Sequence, residues 1–168
     1  MDDEQSQHPA RRLSGSLARI LREFSRDYEG RITAGIRARG YPTFRHCHQV
    51  VFANIGLGQV RVTELARSAR ITQQAMGKTL RELEKLGYIE RAVDTQDRRA
   101  KAIRLTPRGV QLVAVAVEVA EEVHGEYARK VGEPTFSDLE ARLRDAASRL
   151  ELNYLPSSWA ADHTDSGQ

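Results

Sequence analysis

Residues 71–87 read ITQQAMGKTLRELEKLG, and the reading of this stretch decides the fold. Thr72 is a helix N-cap residue, because its hydroxyl can accept from an orphan amide one turn on. Behind it, Ala75, Met76, Leu80, Leu83 and Leu86 recur at three- and four-residue steps and form one apolar stripe. The other face offers Gln73, Gln74, Lys78, Arg81 and Lys85, and Gly87 is a helix stop. Just upstream, Thr63 is expected to cap a short helix, ELARSAR, that turns Leu65, Ala66 and Ala69 inward; Ile71 follows it. Two short helices joined by a tight turn, the second with a polar and basic face, form a helix-turn-helix.

Downstream, Tyr88-Ile-Glu-Arg-Ala-Val93 and Ala102-Ile-Arg-Leu105 alternate like half-buried strands. The charged residues 94–101 lie between them as a hairpin tip, which makes the pair a wing. Thr106-Pro107 reads as an N-cap followed by proline in the first helical position. A helix of roughly twenty residues follows. Gly132-Glu-Pro134 stops it, and Ser137-Asp-Leu-Glu140 has the pattern of a capping box. That box opens a last helix with Leu139, Leu143, Ala146, Leu150 and Tyr154 on one face.

Two helices precede the helix-turn-helix. Residues 14–38 carry Leu17, Ile20, Leu21, Phe24, Tyr28, Ile32 and Ile36 in one stripe, with Ser14 or Ser16 as cap. Gly40-Tyr-Pro42 ends this helix, since the residue before a proline avoids the helical region. Residues 43–55 form the second, with Phe44, Val51, Phe52 and Ile55 apolar, and Gly56-Leu-Gly58 breaks it.

The expected fold is mainly α with a two- to three-stranded wing. A winged helix-turn-helix lobe spans 41–109. A helical dimerisation lobe is formed by 13–40 and 110–155, and the polar segments 1–12 and 156–168 are expected to be disordered tails. One small winged lobe cannot cover the apolar stripes of the terminal helices, so their simplest partner is a second copy of the chain.

Composition narrows the function. Aromatic residues make up only 6% of the 168, which suits a helical protein better than a β-sandwich. The single cysteine excludes an intramolecular disulfide framework. No apolar run approaches the roughly 20 residues of a membrane span, and no secretory signal is visible, so the cytoplasm is the expected compartment. The net charge of +3 is unevenly spread. Residues 61–109 carry twelve Lys/Arg against six Asp/Glu, whereas 110–168 carry five against eleven. A basic middle of this kind suits a polyanion such as double-stranded DNA.

The segment Asp97-Arg98-Arg99-Ala-Lys-Ala-Ile103-Arg-Leu105-Thr106-Pro-Arg-Gly109 resembles the wing signature of the MarR regulators at every position. Residues 62–91, VTELARSARITQQAMGKTLRELEKLGYIER, resemble that family's helix-turn-helix and first wing strand. The resemblance implies a homodimeric transcriptional regulator, usually a repressor, on a pseudo-palindromic operator. Many such proteins are released by small phenolic or aromatic ligands, by oxidants or by metals. No enzyme activity, cofactor or metal is expected.

Gln73 and Gln74 are the candidates for base edges, because a glutamine amide can bond bidentately to adenine. Lys78 and Arg81 follow on nearly the same face. Thr72, at a helix N-terminus, can also reach a phosphate, and Thr63 and Ser68 are further phosphate candidates. Arg99 matches the family's minor-groove arginine. Asp97 can pair with it and hold it extended, while Arg98 and Lys101 are expected to meet phosphates. A small-molecule pocket between the two lobes, implied by the resemblance, has Phe24, Tyr28, His48, Phe52 and His124 as candidate liners.

Residues 45–50, RHCHQV, look at first like a metal or redox site. On a helix, His46 and His48 point about 200° apart and cannot ligate one ion with Cys47. Cys47 is then expected to be a small buried or half-buried hydrophobe, and His48 to face the pocket crevice. A metal- or thiol-responsive regulator and a low-specificity architectural DNA-binding protein are the alternatives.

Overall fold

The computed structural model describes residues 16–56, 58–93 and 101–152, with Lys101 described in its backbone alone. Among the described residues, six helices and one small sheet run in the order α1 (Leu17–Ala38), α2 (His46–Ile55), β1 (Val60–Arg61), α3 (Val62–Ser68), α4 (Gln73–Lys85), β2 (Ile89–Val93), β3 (Lys101–Leu105), α5 (Pro107–Val131) and α6 (Glu133–Arg149). The sheet is antiparallel in the order β1-β3-β2, with Val60 opposite Ile103 and Ile89 opposite Leu105. This is the expected winged helix-turn-helix. The third strand, β1, is too short for any alternation to betray it.

Two threonine caps organise the lobe. Thr72 Oγ1 accepts from the Ala75 amide and starts α4. Thr106 Oγ1 accepts from the Gly109 amide and donates to the Gly87 carbonyl at 2.7 Å. The same threonine's amide donates to the Tyr88 carbonyl. The start of α5 is thereby fastened to the turn where α4 becomes β2. Gly109 lies against that turn so closely that a Cβ would fall 2.0 Å from the Tyr88 oxygen.

The core of the winged lobe joins Phe44, Val51 and Ile55 of the α2 region to Leu65, Met76, Leu80, Leu83, Ile103 and Leu112, all at most 1% exposed. Helix α5 leaves this core and runs back along α1. There Val119 packs where Gly35 has no side chain; a Cβ on Gly35 would lie 2.5 Å from it. Beyond that crossing, Phe24, Tyr28, Tyr127 and Phe136 make an aromatic cluster with ring centroids 5.1–6.5 Å apart. Tyr127 also donates its hydroxyl to Asp27, whose carboxylate takes Arg31 at 2.8 Å.

Several local expectations are corrected. Thr63 does not cap α3: the helix begins at Val62 with Arg61 as N-cap, because β1 pairs with β3 up to that residue. Ser16 sits at the N-cap of α1 without a side-chain cap bond. Ser137 opens nothing. Gly132, at φ +97°, ends α5 and starts α6 at once, and Pro134 occupies the first turn. Phe136, 4% exposed and 5.1 Å from the His124 ring, fixes that early start. Ala75 is exposed rather than part of the buried stripe, and Cys47 is exposed rather than buried. Tyr154 and Ser14 lie outside the described residues.

The long stripe of α1 divides in two. Ile32 and Ile36 are buried, while Leu17, Ile20, Leu21 and Phe24 are 37–69% exposed. On α6, Leu139 and Leu143 are exposed, as is Leu150 just past its end. Among the described residues no helix is long and apolar enough to cross a membrane.

Candidate nucleic-acid interface

Helix α4 has one face in the core and one in solvent, as its 3.6-residue period demands. Met76, Leu80 and Leu83 point inward. Thr72, Gln73, Gln74, Lys78 and Arg81 are all exposed. Gln73, Gln74 and Lys78 make no side-chain bond among the described residues.

The acids of the same helix are engaged elsewhere. Glu82 pairs with Arg45, at the N-cap of α2, and Glu84 takes Arg91 of β2 at 3.2 Å. The outward face of α4 therefore offers amides and cations while its carboxylates are neutralised against the body of the lobe. Thr63 and Ser68 are exposed on α3. Between the two helices Arg70 adopts φ +53°, a left-handed conformation that closes the turn. In this turn the Ile71 amide donates to the Ala66 carbonyl, a helix-ending bond of the type usually served by glycine.

At the base of the wing, Arg104 of β3 meets Glu90 of β2 at 2.6 Å across the register, and the Arg108 guanidinium lies 4.9 Å from the Tyr88 ring centroid. Arg91, Arg104 and Arg108 thus each have a partner within the winged lobe. Lys101 opens β3 opposite Val93. Asp97, Arg98 and Arg99 lie outside the described residues.

The five candidate pocket liners do not converge. Phe24, Tyr28 and His124 gather round Tyr127 and Phe136, where His124 Nε2 lies 3.2 Å from Glu140. Burial, and then the negative charge of Glu140, raise the Tyr28 hydroxyl above its usual pKa. Phe52 stands apart from them. It lines an apolar cavity of about 230 Å³ between α1, α2 and α5, with Ile36, Phe44, Gln49 and Val113 among its walls. Sequence reading missed Gln49, the polar side chain of that wall, whose Oε1 accepts from the Thr33 hydroxyl at 3.2 Å. A glutamine on an apolar helix face was the available signal.

His48 is not in the cavity. It is completely buried between α2 and α4, with its Nδ1 accepting the Arg45 amide at 3.2 Å. Burial, and secondarily the Arg45 charge, push its pKa down to about 4. His46 points the other way, to Glu29 at 3.5 Å, as helical spacing requires. Among the described residues no three His, Cys, Asp or Glu side chains are placed to hold a metal ion.

The sequence profile of the MarR family matches residues 45–100. The exopolysaccharide II synthesis transcriptional activator ExpG of Rhizobium meliloti (strain 1021) is 27% identical over 128 residues. That match covers 73% of this chain and 66% of the relative, so the chain spans just under two thirds of that protein's length. The crystal structure of the reduced form of MarR from E. coli superposes with a TM-score of 0.68 at 16% identity, covering 78% of this chain and 96% of that one. A mutant of the same E. coli protein, complexed with operator DNA, superposes with a TM-score of 0.63 at 16% identity, covering 77% and 92%. At these identities the two structures establish the fold.

Proposed function

We propose, from the match of residues 45–100 to the MarR family of transcriptional regulators, that the chain works as a homodimeric repressor on a pseudo-palindromic operator. The outward face of α4 carries this reading, with Gln73, Gln74, Lys78 and Arg81 exposed while Glu82 and Glu84 are paired away from it. In the major groove the two glutamine amides meet base edges, and Lys78 and Arg81 follow toward phosphates. Thr72 and the N-terminus of α4 favour a phosphate at the groove's edge. Thr63 and Ser68 add backbone contacts from α3. Arg99 enters the adjacent minor groove from the wing, with Asp97 holding it extended and Arg98 and Lys101 on flanking phosphates. A small aromatic ligand in the cavity beside Phe52 and Gln49 releases the DNA. The lining fits a neutral ring with one hydrogen-bond acceptor for the Gln49 amide.

Activation rather than repression has one observation in its favour: the ExpG relative is a transcriptional activator. In vitro transcription from a promoter carrying the selected site separates the two directions.

Selection of bound sequences from a random duplex pool tests the central reading. The expected result is a palindrome whose half-sites lie about 34–36 Å, one helical turn, apart. Selected duplexes should bind roughly a thousandfold or more tighter than random ones. Enrichment of no consensus, with binding governed by salt alone, would instead make this an architectural protein.

A further inference from the structure

Beyond the polar face of α4, one contact of that helix is unusual in kind. Glu82, on its inner edge, receives two groups from the start of α2. The Arg45 guanidinium pairs with one carboxylate oxygen, and His48 Nε2 lies 3.4 Å from the other. The imidazole is fully buried, with its ring edge-on to Phe44 at 5.7 Å between centroids.

The tautomer follows from the local bonds. Nδ1 accepts the Arg45 N–H, so it carries no proton, and the neutral ring holds its hydrogen on Nε2. That N–H is the buried polar side-chain group left without a hydrogen-bond partner among the described residues. A buried donor left unmade is costly, and folds rarely keep one without a use. Here a carboxylate oxygen lies 3.4 Å away, about 0.2 Å beyond the ordinary N–H···O range. A small inward movement of α4 completes the bond. Movement outward leaves Arg45 as the sole arm.

We propose that His48 is a positioning residue for the recognition helix: with Arg45 it forms a two-armed clamp on Glu82 that sets how α4 is presented to DNA. The clamp rests on the DNA-binding function proposed above. It also makes a prediction opposite in sign to plain electrostatics. Glu82 is an acid on a helix meant for a polyanion, so its removal alone should tighten DNA binding. If Glu82 instead holds the helix in place, its removal should weaken binding to the cognate site.

The test uses the full chain as wild type, Glu82→Ala, His48→Phe and the double variant. The duplex recovered by selection and a random-sequence duplex are the probes, and amide exchange across 73–85 is followed in the free protein. Each single variant should lose roughly tenfold in affinity for the selected duplex, and the double should be no worse than the weaker single. Affinity of Glu82→Ala for the random duplex should be equal or tighter. Exchange across 73–85 should quicken while melting temperature moves little in Glu82→Ala, whose side chain is partly exposed and tolerates truncation. Tighter binding of the selected duplex by Glu82→Ala overturns the clamp, and so does unchanged exchange across 73–85. Losses that multiply in the double variant overturn it too. If the wild type prefers no duplex, the functional reading fails separately. The exchange rates then decide the clamp alone: quickened exchange sustains it and unchanged exchange overturns it. Should His48→Phe fail to fold, Glu82→Ala carries the test.

Discussion

A histidine with no solvent exposure is held in its neutral form by the cost of burying charge, and His48 is such a residue. Its pKa is about 4 in the fold against 6.5 for the free side chain. Between those values the unfolded chain binds the extra proton and the folded chain does not, so stability rises with pH across that window. The contribution is fully present above pH 6.5 and is lost as pH falls through 4. It amounts to roughly 3 kcal/mol at full extent. Urea unfolding of wild type and His48→Phe from pH 7.5 to 4 should show the wild type losing more stability than the variant. Parallel pH profiles would remove His48 as a source of acid sensitivity. The sequence revealed the helical geometry that separates His46 from His48 and pointed to His48 as the inward one, but aimed it at the pocket crevice rather than toward α4. The edge-on contact with the Phe44 ring fixes that orientation, which no spacing rule specifies. Cys47 was misplaced for the same reason: a soft residue beside a buried one still points elsewhere.

Among elements, the junction of α4, β2 and α5 depends on Thr106. Its hydroxyl caps α5 and bonds the Gly87 carbonyl, while its amide meets the Tyr88 carbonyl. Thr106→Ala removes both hydroxyl bonds and should lower unfolding free energy by about 2 kcal/mol, the sum of a typical cap and one further hydrogen bond. Thr106→Ser should recover most of this in the same denaturant titration; a serine variant as weak as alanine would show that the methyl packing, not the hydroxyl, matters. Caps at Thr72 and Thr106 were legible in sequence because each hydroxyl accepts from an amide three residues on, and the bond that Thr106 donates to Gly87 leaves that cap intact. Thr63 and Ser137 carried equally good local signals and lost to longer-range structure. Pairing of Val60 and Arg61 with β3 moves the start of α3 forward, and burial of Phe136 against His124 starts α6 a turn early. The exposed polar and basic face of α4 was legible, since a 3.6-residue period sorts polar from apolar directly. The pocket was read poorly, because its walls come from α1, α2 and α5, whose mutual approach depends on packing such as Val119 against Gly35.

For the whole molecule, the question is what covers the outer halves of α1 and α6. Leu17, Ile20, Leu21 and Phe24 of the first helix and Leu139, Leu143 and Leu150 at the other end are left exposed by the single chain. Single exposed leucines need no explanation, but rows of them on two helices form the kind of surface that proteins bury. A second copy would supply the same rows and would make a self-complementary two-fold contact. That symmetry would also set two α4 helices on successive major-groove faces of a palindrome. Replacing Leu21 and Leu143 together with glutamate should convert a dimer to a monomer of 18.9 kDa in sedimentation equilibrium. The winged lobe, with its own core, should stay folded by circular dichroism. Affinity for the palindrome should then fall by a hundredfold or more, roughly the gain from tethering two half-site contacts, while affinity for an isolated half-site should hardly change. A wild type that sediments as a monomer at micromolar concentration with the palindrome present would show that these apolar rows meet something other than a second copy.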